Sequence, residues 1–499
     1  MANKEQQIKN SFIYMFPLLV SGIFPFVALP ILTRILTKED YGILALAQIY
    51  AILVAGFANF GMSASYDRNF FKYRSDRTKS AQLLFSTLFF VILNFFFLAS
   101  LTFFFRNTFA KLIIRDAQYG NLLFAALCAQ FSSTVSYYYY SYFKNSELAK
   151  KFTAYTIAQN IINVVLSLFM VAYLKTGVIG IVYAQLLSGL IIFSAQSYKF
   201  LIMLKPSLDK SILLESIKIS YPLTPTIFFG VIGTQFDKYM IGLLATVGGV
   251  GIYSIGQKVA SVSFTFMTAI QNVFSPQVYR RMFDLKEKGG ESIGTYLTPF
   301  VYISIAFALI IAVFSEDIIS ILTPVSYHGA IDIVTVLTMY YGFLFFGKIT
   351  PMQLIYSKKT YMCSLLSIVS IGFNVVLNIL FIMKWGAVGA AWGTFLAAVI
   401  SGSIYFMVAQ KSYLIKWEYI KVCSVFFVFF SSALLMVILR NADLNYIVRM
   451  ILKISAIGIY VFIGIKFNIL TMDRYRLIKN LIRGLVQSRF EIGEAGTKL

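Results

Sequence analysis

Histidine and cysteine are nearly missing from this chain. One histidine, His328, and three cysteines, Cys128, Cys363 and Cys423, occur among 499 residues. His328 lies in a polar connecting stretch and the cysteines are scattered through apolar runs, so no metal-ligand, redox or Cys/His nucleophile spacing can be assembled. Charge is scarce as well. Charged residues make up 13% of the chain, against about 25% in soluble globular proteins, and acids (21) are outnumbered by Lys and Arg (43). No P-loop, no G-x-S-x-G elbow and no polar stretch long enough for a soluble domain appears. Coupling to ATP would need a separate subunit, and a nucleic-acid-binding fold has nowhere to reside despite the net charge of +22. No nucleic-acid partner, metal or cofactor is expected, and no enzymatic site.

What is abundant is apolar sequence: 59% of residues are hydrophobic and the mean hydropathy is +0.76. A helix needs about 20 apolar residues to cross a ~30 Å hydrocarbon core. Runs of that length recur at about 11–32, 41–62, 82–105, 119–143, 152–174, 178–203, 217–244, 250–273, 295–314, 331–356, 361–383, 387–409, 421–440 and 446–468. The expected fold is therefore an all-α polytopic membrane protein with 14 transmembrane helices. The first run is too long for the apolar core of a signal peptide and lacks a small-residue cleavage site, so it reads as retained. The N-terminus, the even-numbered connections and the C-terminus, with the span ends beside them, hold 30 of the Lys and Arg residues. The odd-numbered connections hold 10, and Lys238, Lys258 and Lys348 stand inside spans. The positive-inside bias then puts both termini in the cytoplasm.

The chain repeats itself at a period of 209 residues. YGILALAQ from Tyr41 aligns with VGIYSIGQ from Val250, and KTGVIG from Lys175 with KWGAVG from Lys384. Between them NVVL occurs at Asn163 and again at Asn374. Spans 1–6 and 7–12 then form two six-helix lobes, 1–210 and 211–415, in parallel orientation. Spans 13 and 14 (416–470) are an addition, followed by a tail, 471–499. Parallel repeats of this kind predict a substrate site between lobes and alternating access. Prolines gather in the first helix of each lobe (Pro17, Pro25 and Pro30; Pro222 and Pro225), where bends are expected. From Asp473 the tail alternates basic and apolar residues at helical spacing, the pattern of an amphipathic helix lying on an anionic leaflet.

The stretch TQFDKYMIGLLATVGGVGIYSIGQKVASV (234–262) carries the main clue. It reads as two apolar helices joined by a glycine-rich turn centred near Gly248, with Asp237, Lys238 and Lys258 well inside the helices. A charge in a membrane helix costs roughly 3 kcal/mol or more and persists where it faces protein or water. Asp237 and Lys258 are expected at matching depth, about 15 Å below the turn. Either they neutralise each other, or the lysines face a cavity and attract an anion. Asp237 and its neighbour Lys238 point to different faces, which leaves Lys238 as the cation without a partner. As the acid placed deep in a span, Asp237 is also the candidate for ion coupling. Lys348 in span 10, Arg34 at the outer end of span 1 and Arg68 at the inner end of span 2 complete the candidate cationic set. The two arginines can equally snorkel to the interface. Tyr137, Tyr138, Tyr139 and Tyr140 cover every face of one helix near its cytoplasmic end and read as an interfacial aromatic belt.

Fourteen spans, PILTRILTKEDYGILALAQ from Pro30, the hairpin FDKYMIGLLATVGGVGIYSIGQKVA from Phe236 and WGAVGAAWGT from Trp385 resemble the polysaccharide transporter family. These are the bacterial O-antigen and capsule repeat-unit flippases of the multidrug/oligosaccharidyl-lipid/polysaccharide exporter superfamily. The resemblance implies two six-helix lobes around a cationic cavity. It also implies flipping of an undecaprenyl-diphosphate-linked oligosaccharide from the inner to the outer leaflet of the cytoplasmic membrane, for O-antigen, lipopolysaccharide or capsule synthesis. Arg34, Asp237 and Lys238 match positions where the family commonly carries charge; Lys258 and Lys348 rest on the residues alone. Implied partners are the lipid-linked oligosaccharide, membrane lipids, a polysaccharide polymerase and a chain-length regulator, with the chain acting as a monomer. A peptidoglycan-precursor flippase would share the same features. A multidrug exporter of the superfamily would use embedded acids and, usually, twelve spans. A membrane polymerase or ligase would show a large outer loop with catalytic groups.

Overall fold

A computed structural model of the chain describes residues 26–73, 76–203, 207–440, 442 and 445–469. Pro17, Pro25 and the basic amphipathic tail lie outside them. Among the described residues there are helices and connections but no strand. The first unit opens with α1 (Phe26–Ile35), α2 (Lys38–Asn59), α3 (Met62–Tyr73), α4 (Arg77–Phe104) and α5 (Arg106–Ile113). Then come α6 (Gly120–Asn145), α7 (Ala149–Leu168), α8 (Val178–Met203), α9 (Lys210–Ser220) and α10 (Thr224–Leu244). The second half holds α11 (Val247–Leu285), α12 (Gly289–Val313), α13 (Ser315–Leu322), α14 (Ala330–Tyr356) and α15 (Thr360–Ser412). It ends with α16 (Tyr419–Arg440) and α17 (Tyr446–Lys466).

Each of the expected spans falls on helix, span 1 on its described part and span 7 across the break between α9 and α10. Among the described residues nine segments are long and apolar enough to cross a membrane by length and composition. Two of these, Val247–Val313 and Thr360–Ser412, each contain two of the expected spans. The chain is thus an all-helical, multi-pass membrane protein. Inside α15 the two spans meet at Gly386, whose φ of 56° and ψ of −132° break the helix where a side chain would be strained.

Local chemistry sets several boundaries. Thr37 caps α2 in a capping box: its hydroxyl accepts from the Asp40 N–H, and the Asp40 carboxylate accepts from Thr37. Span 2, expected to run to residue 62, ends as a helix at Asn59. Phe60 and Gly61 take positive φ values of 49° and 71°, so Asp67 and Arg68 belong to a separate helix, α3. A Cβ on Gly61 would stand 2.8 Å from the Ser220 carbonyl oxygen. This elbow therefore packs tightly against the break between α9 and α10, where Pro222 sits in a 3-10 turn.

The sequence repeat is visible in the backbone. Both ends of α5 become both ends of α13 when shifted by 209, and the last residue of α1, Ile35, becomes the last residue of α10, Leu244. Thr246, the equivalent of Thr37, accepts a hydrogen bond from the Gly249 N–H at 3.0 Å. Gly177 and Gly386 both have positive φ. The glycines expected to form the turn after α10 serve a different purpose. The turn is only residues 245–246, and Gly248, Gly249 and Gly251 lie in the first turns of α11. A Cβ on Gly251 would sit 1.9 Å from the Lys38 carbonyl oxygen, and one on its repeat mate Gly42 would sit 1.9 Å from that of Val247. Lys38 and Val247 are themselves repeat mates. Helices α2 and α11 thus cross backbone to backbone in a reciprocal contact that only glycine permits.

By contacts the chain divides into two compact units. One runs to Ser254 and includes Leu322–Ser326; the other holds Ile255–Ile321 and the residues from Tyr327 onward. The repeat boundary at 210/211 falls inside the first unit. Two contacts account for this: α9 is bound to α3 through Lys72–Glu215 (2.6 Å) and Asn69–Ser216 (3.2 Å), and the start of α11 is held at the glycine crossing. In the second unit the added helices are tied in by ion pairs. Lys453 on α17 has a side chain only 1% exposed, 3.1 Å from Glu316 and 2.6 Å from Asp317. Arg449 pairs with Glu316 at 2.6 Å and Arg440 with Asp332 at 2.8 Å.

Candidate functional site

In the first unit the site begins with Asp237, 6% exposed on α10. Its carboxylate accepts a hydrogen bond from the Tyr253 hydroxyl at 3.0 Å. The short connection explains this partner. Asp237 lies seven residues before the end of α10 and Tyr253 six after the start of α11, ~10 Å and ~9 Å along their axes. Lys258 is eleven residues in, ~16 Å, about one turn deeper than the matched depth expected with a turn centred on Gly248. Lys238, expected to be without a partner, is half-buried and donates to Gln235 Oε1 at 3.3 Å.

Arg34 and Arg68 are exposed, and the fold does not bring them together. Arg34 precedes α2 and donates to the Pro30 carbonyl; Arg68 follows α2 and donates to Asn69 at 3.1 Å. The 22 residues of α2 between them span ~33 Å. Beside Arg68, Asp67 is satisfied from α6 by the Ser141 hydroxyl, by Asn145 Nδ2 at 3.0 Å and by the Tyr137 hydroxyl at 3.3 Å. That cluster was hidden in sequence because its donors lie 70 to 78 residues away. The tyrosine run is not simply a belt: Tyr137 is exposed, but Tyr138 and Tyr139 are buried in an aromatic core with Tyr66 and Phe70.

In the second unit Lys258 is exposed on α11. Half-buried Lys348, on α14, places its Nζ 4.3 Å from the centre of the Phe264 ring on that same α11. Phe264 lies six residues, ~9 Å, beyond Lys258. Both lysines therefore border one helix. On α15, Asn374 Nδ2 donates to Thr394 Oγ1 (3.3 Å) and Asn378 Nδ2 to Asn374 Oδ1 (3.2 Å), joining the helix's two halves. The repeated NVVL was the signal that could have singled out Asn374. In the first unit Gln48, the repeat mate of Gln257, donates to Gln185 at 3.4 Å. Among the described residues no group of three or more His, Cys, Asp and Glu is placed to hold a metal ion.

The helices, the repeat and the cations inside them define a multi-pass membrane protein. More narrowly, the model of the polysaccharide biosynthesis protein family matches residues 8–280, over half of the chain, and the chain belongs to that family. It is 24% identical over 257 residues to the probable low-salt glycan biosynthesis flippase Agl15 of Haloferax volcanii. That alignment covers 51% of this chain and 52% of the relative, so the chain spans about half the length of the curated relative it matches. Among solved structures it is similar to the lipid II flippase MurJ in an inward closed conformation, with a TM-score of 0.67, 15% identity, and 92% of this chain and 98% of that one covered. It is also similar to the MATE transporter VcmN of Vibrio cholerae, with a TM-score of 0.56, 14% identity, and 82% and 98% covered. At these identities the likeness is one of fold.

Proposed function

We propose that this protein flips an oligosaccharide linked to undecaprenyl diphosphate from the inner to the outer leaflet of the cytoplasmic membrane, for surface polysaccharide such as O-antigen or capsule. The observation that carries the reading is the imbalance of charge inside the spans. Lys238, Lys258 and Lys348 are read as standing well inside spans, where Asp237 is the acid placed deep, and a diphosphate is the anion a lipid-linked sugar brings. Family membership and the glycan flippase among its relatives support the same reading. The lysines bind the diphosphate; Arg34 and Arg68, ~33 Å apart, act at the outer and inner faces as exit and entry charges. The sugars pass with the headgroup while the prenyl chain stays in lipid. Both termini lie in the cytoplasm, the two repeats are the moving lobes, and the chain works as a monomer beside a polymerase and a chain-length regulator.

The test is the fate of lipid-linked repeat units when the gene is deleted. Accumulation on the cytoplasmic leaflet with loss of surface polysaccharide supports the proposal. Accumulated peptidoglycan precursor, or sensitivity to cationic drugs with surface polysaccharide intact, would replace it with one of the superfamily's other activities.

A further inference from the structure

Two lysines withdrawn from solvent, Lys453 buried and Lys348 half-buried, are held in different ways. Lys453 is neutralised, with a carboxylate on either side at 3.1 Å and 2.6 Å. Nothing is left for it to attract, and its work is to fasten α17 to α13. Lys348 is treated differently. Among the described residues no carboxylate stands in ion-pair range of it; instead its ammonium rests 4.3 Å from the centre of the Phe264 ring. Phe264 is in turn packed against Tyr341, ring centres 5.5 Å apart. An aromatic face within ~6 Å attracts a cation through its quadrupole, yet carries no charge of its own. The lysine is steadied in an apolar setting while its full positive charge stays available. A long side chain with four rotatable bonds also loses freedom when it binds, and a seat that has already ordered it lowers that cost.

We infer that Phe264, backed by Tyr341, is a positioning residue that holds Lys348 charged and aimed for an anionic diphosphate. This rests on the proposed function and names a residue that the pattern of charges alone does not reveal. Phe264 is invisible as a functional residue in sequence, being one of 49 phenylalanines on a helix facing apolar neighbours.

The test is titration of a short-chain polyprenyl diphosphate into the purified protein in detergent. Phe264→Leu, which keeps the bulk and removes the π face, is expected to weaken binding roughly 2- to 30-fold, the range of a single cation–π contact. Phe264→Tyr keeps the ring and is expected to bind like the wild type, which separates the effect from misfolding. In a Lys348→Gln background Phe264→Leu should cause no further loss. Equal losses in both backgrounds would make Phe264 a packing residue and overturn the inference. Tighter binding by Phe264→Leu would overturn it too, since the ring would then compete with the diphosphate. If the wild type and Lys348→Gln bind the diphosphate equally weakly, the cationic-site reading itself fails, and this inference with it.

Discussion

Adding one methyl group at either glycine of the α2–α11 crossing should destabilise the protein, whereas the same change elsewhere should not. At Gly42 and Gly251 a Cβ meets a carbonyl oxygen at 1.9 Å, while ordinary contact begins near 3.4 Å. The helices would have to move apart by about 1.5 Å, and no flexible side chain is there to yield. Overpacking of this kind costs ~1–3 kcal/mol. Gly372 in α15 and Gly458 in α17 have nothing within 4 Å of an added Cβ. There alanine should be neutral or stabilise by up to ~1 kcal/mol, because glycine is the weaker helix former. The sign of the change thus separates the sites. The Gly42→Ala/Gly251→Ala double variant should cost far less than the sum of the singles, because one separation of the helices relieves both clashes. Unfolding of the purified protein by SDS titration, followed by circular dichroism, measures this. Gly42→Ala and Gly251→Ala falling within ~0.5 kcal/mol of Gly372→Ala would refute the reasoning.

Replacing Lys453 by Met leaves Glu316 and Asp317 facing each other without their shared cation, and removal of one member of a buried ion group costs ~3–5 kcal/mol. Thermal unfolding should show a large loss, and little change would mean water reaches the cluster. Lys238→Gln, Lys258→Gln and Lys348→Gln should each impair surface polysaccharide assembly while membrane insertion and thermal stability stay near wild type; loss of folding in step with export would contradict a binding role. The Lys72–Glu215 pair lies outside the membrane spans and joins α3 to α9. Bonding to the Lys72 ammonium, with the Tyr73 hydroxyl, holds the Glu215 carboxyl below its usual range, and bonding to Glu215 holds Lys72 above its own. The stability it adds is present above about pH 4, the unfolded value of Glu. It is lost as pH falls through the lower folded value, and lost again as pH rises past the raised value of Lys72. Glu215→Gln should therefore differ from wild type in thermal unfolding at pH 7, with the difference shrinking as pH falls below the usual Glu range; a constant difference would point to packing instead.

Much of the architecture was legible because membrane burial writes itself into long apolar runs. The tandem repeat was legible because Gly42 and Gly251, Gln48 and Gln257, and the paired K-x-G segments kept their identities. The purpose of the glycines was misjudged: a glycine cluster after a helix reads as a turn, but here the turn is two residues long and the glycines serve a neighbour some 200 positions away. The partners of Lys453 were hidden for a similar reason, its acids lying 136 and 137 residues earlier. Spacing read Asp237 as deep in a span, and the two-residue turn gives it a hydrogen-bond partner, Tyr253, that the sequence did not suggest. Phe264 gave no signal at all.

Adding or subtracting 209 maps the glycine crossing onto itself, Gly42 against Val247 becoming Gly251 against Lys38. This is the defining property of an isologous interface, in which one patch serves both sides of a two-fold axis. The chain is, at this point, a homodimer written on a single strand. The same geometry would let a half-length chain carrying one such glycine meet a second copy of itself. Fusing two copies frees each half to diverge, as Lys348 and the α16–α17 pair in only one half show. The crossing itself cannot diverge on one side alone, because a side chain gained by either helix is felt by both.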